Sequence, residues 1–189
     1  MTGVADSFVL RDIRANDVAR ILKDWLQSYH RATEVRKIPN PVWYWWMHKI
    51  IESVMEDPTV LWMVAVPAEQ PDLIAGWCCA QQFAGGNMLV HYTYVTRSYR
   101  RLGLASRMLA AAGVAADVGL MVTATTFAGV ALLKSRGNEP VWNPFLLMGR
   151  APILAPTSDV RADIRKELRR SARASRVGFD INETPKERE

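Results

Sequence analysis

Hydrophobic and polar positions change their period several times along this chain, and each change marks an element. Phe8 to Ile13 reads as a short strand, and Asn16 or Asp17 then offers a helix cap. Val18, Ile21, Leu22, Trp25, Leu26 and Tyr29 recur at helical spacing and predict an amphipathic helix. Pro39 and Pro41 interrupt before a second helical run, "VWYWWMHKIIESVMED", which Pro58 stops. Thr59 to Val66 and Leu73 to Phe83 read as strands joined by the turn "PAEQPD". "AGGN" makes a second tight connection into a strand that ends at Val95. From Leu102 the pattern is helical again, with Leu102, Ala105, Leu109 and Ala112 on one stripe. "GLMVTATTF" reads as a further strand, "AGVALLKSRG" as a short helix closed by Gly137, and "VWNPFLLMGR" as the last strand-like material. The order β-α-α-β-β-β-α-β-α-β implies an α/β domain, a mixed sheet with helices on both faces.

The sharpest change of period falls in "YVTRSYRRLGLASRML", residues 94 to 109, where a strand breaks into a basic, glycine-bearing turn and re-emerges as a helix. Such a turn aims free backbone N–H groups at whatever lies before the helix. The helix dipole, with Arg97, Arg100 and Arg101 close by, favours an anion there, most often a phosphate.

Composition narrows the class. At 189 residues, 49% of them apolar, the chain is long enough for one domain with a real core and a tail. It has no apolar run of the roughly 18 residues a membrane span needs, and its start, "MTGVADSFVLRDIR", has no leader pattern. Adjacent Cys78 and Cys79, on a predicted strand, point their side chains to opposite faces and read as buried thiols of a cytoplasmic protein, not as a disulfide framework. The net charge of +5 is uneven: Ser158 to Arg176 holds seven basic and three acidic residues, whereas Val177 to Glu189 returns two negative charges.

The element order and the run "V-x-x-x-Y-R-R-L-G-L-A" resemble the Gcn5-related N-acetyltransferase (GNAT) superfamily. Its central motif is Arg/Gln-x-x-Gly-x-Gly/Ala after a strand ending in Val, and Arg100, Gly103 and Ala105 match it with Val95 five residues upstream. The resemblance covers about residues 8 to 150 and implies a mostly antiparallel twisted sheet. It implies that acetyl-CoA is the co-substrate, its pyrophosphate held by Arg100, Arg101, Leu102, Gly103, Leu104 and Ala105 and its pantetheine arm lined by Tyr94, Val95 and Thr96. It further implies transfer of an acyl, most simply acetyl, group to a primary amine on a small molecule or a macromolecule. Two positions depart from the family pattern. Leu89 stands where many members carry a general-base Glu, and Leu133 where many carry a general-acid Tyr. Regular alternation would put Leu89, His91, Thr93 and Val95 on one face, which makes His91 the candidate catalytic base; a core histidine bonded to a neighbour is the other reading. The departures leave open a scaffold that binds partners without catalysis, and the basic tail leaves open tailoring of nucleic acid.

Other features carry weaker expectations. "VWYWW" at 42 to 46 places Val42, Trp45, Trp46 and Lys49 on one helix side and Trp43 and Met47 on another; core packing, a homodimer contact or an aromatic wall beside the acceptor entrance would each use it. His48, in the same run, reads as a surface or packing residue. No His/Cys/Asp/Glu spacing matches a metal site. The organisation expected is a domain over 1–156, a basic amphipathic helix over 157–176 carrying Val160, Ile164 and Leu168 as a narrow stripe, and a disordered end over 177–189.

Overall fold

A computed structural model describes residues 7–32, 34–116, 118–147 and 166–170. Its elements follow the expected order: β1 (Phe8–Arg11), α1 (Val18–Ala32), α2 (Asn40–Glu56), β2 (Val60–Pro67), β3 (Gly76–Gln82), β4 (Met88–Val95), α3 (Leu104–Ala111), β5 (Leu120–Val122), α4 (Phe127–Ser135) and β6 (Val141–Trp142). They build a six-stranded sheet in sequence order, β1-β2-β3-β4-β5-β6. The first four strands run antiparallel, while β4–β5 and β5–β6 are parallel because α3 and α4 cross over between them.

Each sheet face has its own core. Trp62, Val64, Trp77, Cys79 and Tyr92 point toward α1 and α2 and meet Ile21, Trp25, Trp43, Met47 and Ile51. Ala65, Cys78, Ala80, Met88 and Val90 point the other way and meet Leu104, Met108 and Leu109 of α3 and Leu133 of α4. Cys78 and Cys79 thus lie on opposite faces, both thiols free and buried. Burial pushes the Cys78 thiol up to about 12, which removes it as a nucleophile near neutrality.

Several boundaries differ from the sequence reading for local reasons. Asp17 does not cap α1; it is buried, accepts the Arg14 N–H at 2.8 Å and is gripped by both terminal nitrogens of Arg11 at 2.6 and 3.0 Å, tying the β1–α1 connection. The strand expected through "GLMVTATTF" ends at Val122, because Thr126 caps α4 by accepting the Gly129 N–H at 3.1 Å. On α2 the split of faces is as the spacing predicts: Trp43 is fully buried, whereas Trp45 is 69% and Trp46 43% exposed.

Of the basic segment, only 166–170 falls within the described residues. It is helical, and Leu168 is buried in the core shared with α1 and α2. The remainder of the expected 157–176 helix and the 177–189 end lie outside the described residues. Among the described residues no helix is long and apolar enough to cross a membrane.

Candidate functional site

The site begins where the sheet comes apart. β5 pairs with β4 only from Met88↔Leu120 to Val90↔Val122, and the Thr123 N–H adds a last bond to the Val90 carbonyl at 3.2 Å. Beyond it, a cleft of about 720 Å³ lies between β4 and the N-terminal part of α4, bounded at one end by the turn before α3 and at the other by α1.

The register against β3 decides what β4 presents to this cleft. The Thr96 N–H donates to the Ala75 carbonyl at 2.9 Å, and Val95 sits opposite Gly76. The intervening N–H and C=O groups of Val95 and Thr93 therefore point away from β3, toward the cleft. There the Val95 carbonyl accepts Arg100 Nε at 3.1 Å. Gly76 is obligatory beneath this strand, since a Cβ would approach the Tyr94 carbonyl oxygen to 2.8 Å.

A bulge resets the side chains. Cys79 pairs with Tyr92 and Ala80 with Val90, so His91 is an extra residue on β4. The expectation that Leu89, His91, Thr93 and Val95 share one face is corrected by it. Tyr92 and Tyr94 turn to the α1 side and Val95 to the α3/α4 side, where Thr93 lines a cavity with Leu109 and Leu133, while alternation sets Leu89 opposite Met88 and Val90. His91 is 1% exposed, with Thr123 Oγ1 3.4 Å from its Nδ1 and donating to its carbonyl at 3.3 Å. It lines a small cavity of about 40 Å³ that adjoins the cleft and shares Thr93 and Thr126 with it.

The turn end is built from backbone. Arg97–Tyr99 form a 3₁₀ turn, Arg101 and Gly103 take left-handed φ values of 67° and 75°, and α3 starts at Leu104 with no side chain capping it. Left-handed residues before a helix gather N–H groups into an anion-binding concavity, and the first-turn amides have no acceptor within the helix. Nothing lies within 4 Å of where a Gly103 Cβ would stand, so it is the φ value that asks for glycine there. Arg100, Arg101, Gly103, Leu104 and Ala105 line the cleft with Tyr94 and Val95. Thr96 and Leu102, also expected at the site, do not: the Thr96 hydroxyl donates to the Ile74 carbonyl at 3.3 Å, and Leu102 packs against the α3-side core.

The α1 end is built from side chains that the sequence reading missed. Asp24, Gln27, Ser28 and Arg31 form one polar stripe at i, i+3, i+4 and i+7 along the cleft wall, a spacing that was available beside the apolar stripe of the same helix. Ser28 Oγ lies 3.0 Å from the Tyr92 hydroxyl, and the Asp24 carboxylate takes Arg20 Nε at 2.7 Å. The Tyr92 ring is stacked on Trp25 and Trp77, with centroids 5.3 and 5.6 Å apart. Burial pushes its hydroxyl up to about 12, so it stays protonated and can donate. Trp45 and Trp46 are not part of the cleft wall, and burial of His48 beside Glu52 on α2 moves its imidazole below the ordinary value.

Comparison with known proteins adds the following. The model of the acetyltransferase (GNAT) family matches residues 8–133. Among solved structures the chain is similar to "a possible acetyltransferase" from Clostridium difficile 630, with 16% identity, 78% of this chain and 99% of that one covered, and a TM-score of 0.52. It is also similar to a Pyrococcus furiosus protein named as an acetyl transferase, with 14% identity, coverage of 80% and 99%, and a TM-score of 0.48. A third is an aminoglycoside N-acetyltransferase solved with CoA, with 12% identity, coverage of 80% and 93%, and a TM-score of 0.42. At such identities the likeness is one of fold. No curated protein matches the chain.

Proposed function

The chain belongs to the acetyltransferase (GNAT) family, and from that premise we propose that it moves an acetyl group from acetyl-CoA to a primary amine by direct attack. The observation that carries this reading is the continuity of one cleft, from the phosphate-type turn, along the free edge of β4, to the polar stripe of α1. The residues fit the co-substrate: an uncapped helix start, a left-handed Gly103 with open space over its Cα, and the Arg100 and Arg101 guanidiniums suit a pyrophosphate. The β4 edge offers backbone N–H groups at Thr93 and Val95 to an amide-bearing arm and to the thioester carbonyl. Bound there, acetyl-CoA supplies the activated acyl carbon.

The amine enters from the α1 side, where Asp24 and Ser28 stand beside Tyr92. It attacks as the free base. Tyr92 holds its own proton and so cannot remove one, while Asp24 already balances Arg20. His91, buried beside the cleft, acts in this reading as a positioning residue that fixes the bulge with Thr123. Thermal melting and thiol release test the proposal together. Acetyl-CoA is expected to raise the melting temperature, and free thiol to appear faster as a panel of primary amines is added and the pH is raised. An unchanged melting curve at millimolar acetyl-CoA would overturn the reading.

A further inference from the structure

One polar group of the cleft wall serves no purpose in the fold. Thr93 Oγ1 is buried with no hydrogen-bond partner among the described residues. Yet Thr93 lines both the cleft and the small cavity that adjoins it. A buried hydroxyl without a partner lowers stability relative to an apolar group of the same shape, and valine has that shape. Much of the small cavity's lining would suit valine too, with Val90, Leu109, Val122, Val130 and Leu133 beside its polar members His91 and Thr126. A threonine here makes physical sense when something bound in the cleft completes it.

Position narrows what that is. Two residues of strand, about 7 Å, separate Thr93 from Val95, beyond which the phosphate-type turn begins. The hydroxyl therefore stands beside the far part of an arm that starts at the turn and follows the β4 edge. Backbone N–H groups on the same edge already suit a carbonyl oxygen. On the strand that the arm follows, no other side chain offers the sulfur a donor: Leu133 on α4 is apolar, the Tyr92 hydroxyl is on the opposite face of β4 beside Ser28, and the Thr126 hydroxyl, which accepts the Gly129 N–H, stands at the α4 cap and not on β4.

We propose that Thr93 is a catalytic residue whose hydroxyl donates a hydrogen bond to the thioester sulfur as it becomes a thiolate. This rests on the acetyl-CoA reading above. The amine nitrogen bonds to the acyl carbon, and the carbon–sulfur bond breaks with its electron pair settling on sulfur. The nitrogen gives one proton to solvent and the sulfur takes one from solvent, so the products are an N-acetyl amide and CoA thiol. Thr93 keeps its proton throughout and stabilises the charge while sulfur carries it.

Thr93→Val and Thr93→Ser test this, with CoA and desulfo-CoA as titrants at about pH 9, above the usual thiol pKa. Thr93→Val is expected to melt at the same or a higher temperature than wild type and to bind desulfo-CoA equally well. Its affinity for CoA should fall roughly 10-fold, and its turnover with an accepted amine by about 10- to 100-fold, the range of a hydrogen bond to a charged atom. Thr93→Ser should restore both. The proposal is overturned if CoA and desulfo-CoA affinities change together or not at all, or if Thr93→Val melts lower, which would mean that the fold itself uses the hydroxyl. If wild-type protein binds neither titrant, the acetyl-CoA reading fails first, and the role of Thr93 fails with it.

Discussion

The two ends of the cleft are made by different means. At the turn end the groups proposed to hold the co-substrate are main-chain amides, placed by two left-handed residues and the uncapped start of α3, with arginines around them. At the α1 end they are side chains, Asp24, Gln27, Ser28 and Arg31, held over an aromatic stack of Trp25, Trp77 and Tyr92. A backbone device tolerates many sequences provided glycine falls where φ is positive. A side-chain device is rewritten by each substitution. One end can thus be shared across a family while the other is particular to this chain, and perturbations should separate them.

The largest effect on co-substrate binding should come at the turn. Gly103→Glu forces a side chain onto φ 75° and sets a carboxylate where an anion is to bind. Acetyl-CoA at a hundred times its wild-type Kd should stabilise wild type by about 2.7 kcal/mol and leave the variant's melting curve unmoved. The α1 end should be untouched, so the two proteins should unfold with the same m-value in urea.

The anchor beneath the α1 side should show its effect in stability instead. Leu168→Ala vacates a buried position in the core that α1 and α2 share and should cost about 2–5 kcal/mol of stability. The Kd for acetyl-CoA should stay as in wild type once both are folded, because the turn packs on the other face. A stability loss near zero would show that the 166–170 segment is not part of the core.

Alkaline pH should probe the stack and the sheet. The Cys78 and Tyr92 groups titrate from 9.0 and 10.0 when unfolded to about 12 when folded, in both cases because burial disfavours the charged form. Between those limits the folded state holds protons that the unfolded state has lost. Stability is therefore flat below about pH 9 and falls as pH rises toward 12, by up to about 1.4 kcal/mol per pH unit for each group. Urea midpoints under reducing conditions check this, and Tyr92→Phe should flatten the upper part of the slope.

The smallest effect is expected in the pH profile of His91→Gln. The variant should lose some stability with the bulge, while the pH dependence of turnover keeps its shape. Loss of a limb near neutrality, with a roughly 10²-fold drop in turnover, would instead make His91 the base.

The same contrast explains what the sequence made legible. Glycine and arginine spacing at 100 to 105 exposed the turn because backbone conformation leaves a residue-type signature. Element order was equally readable, since hydrophobic period follows secondary structure directly. The face of Leu89 relative to Thr93 and Val95 was not, because one inserted residue in β4 reverses every side chain beyond it and nothing in "MLVHYTYV" marks the bulge. The α1 stripe was visible as spacing, but its meaning depends on Tyr92 lying opposite, 64 residues later. Thr93 needed burial and the absence of a partner, neither of which a sequence records.

The central claim is that acetyl-CoA is held by the amides of the turn before α3 and along the β4 edge. Backbone amide chemical shifts, followed while CoA is titrated into labelled protein, test it most directly. The account predicts that the largest changes fall on Gly103, Leu104 and Ala105 at the turn and on Thr93 and Val95 along the strand, with Asp24 and Ser28 moving little until an amine is added. Saturating CoA that leaves Gly103 to Ala105 unmoved, or that perturbs a different face of the sheet, would contradict it.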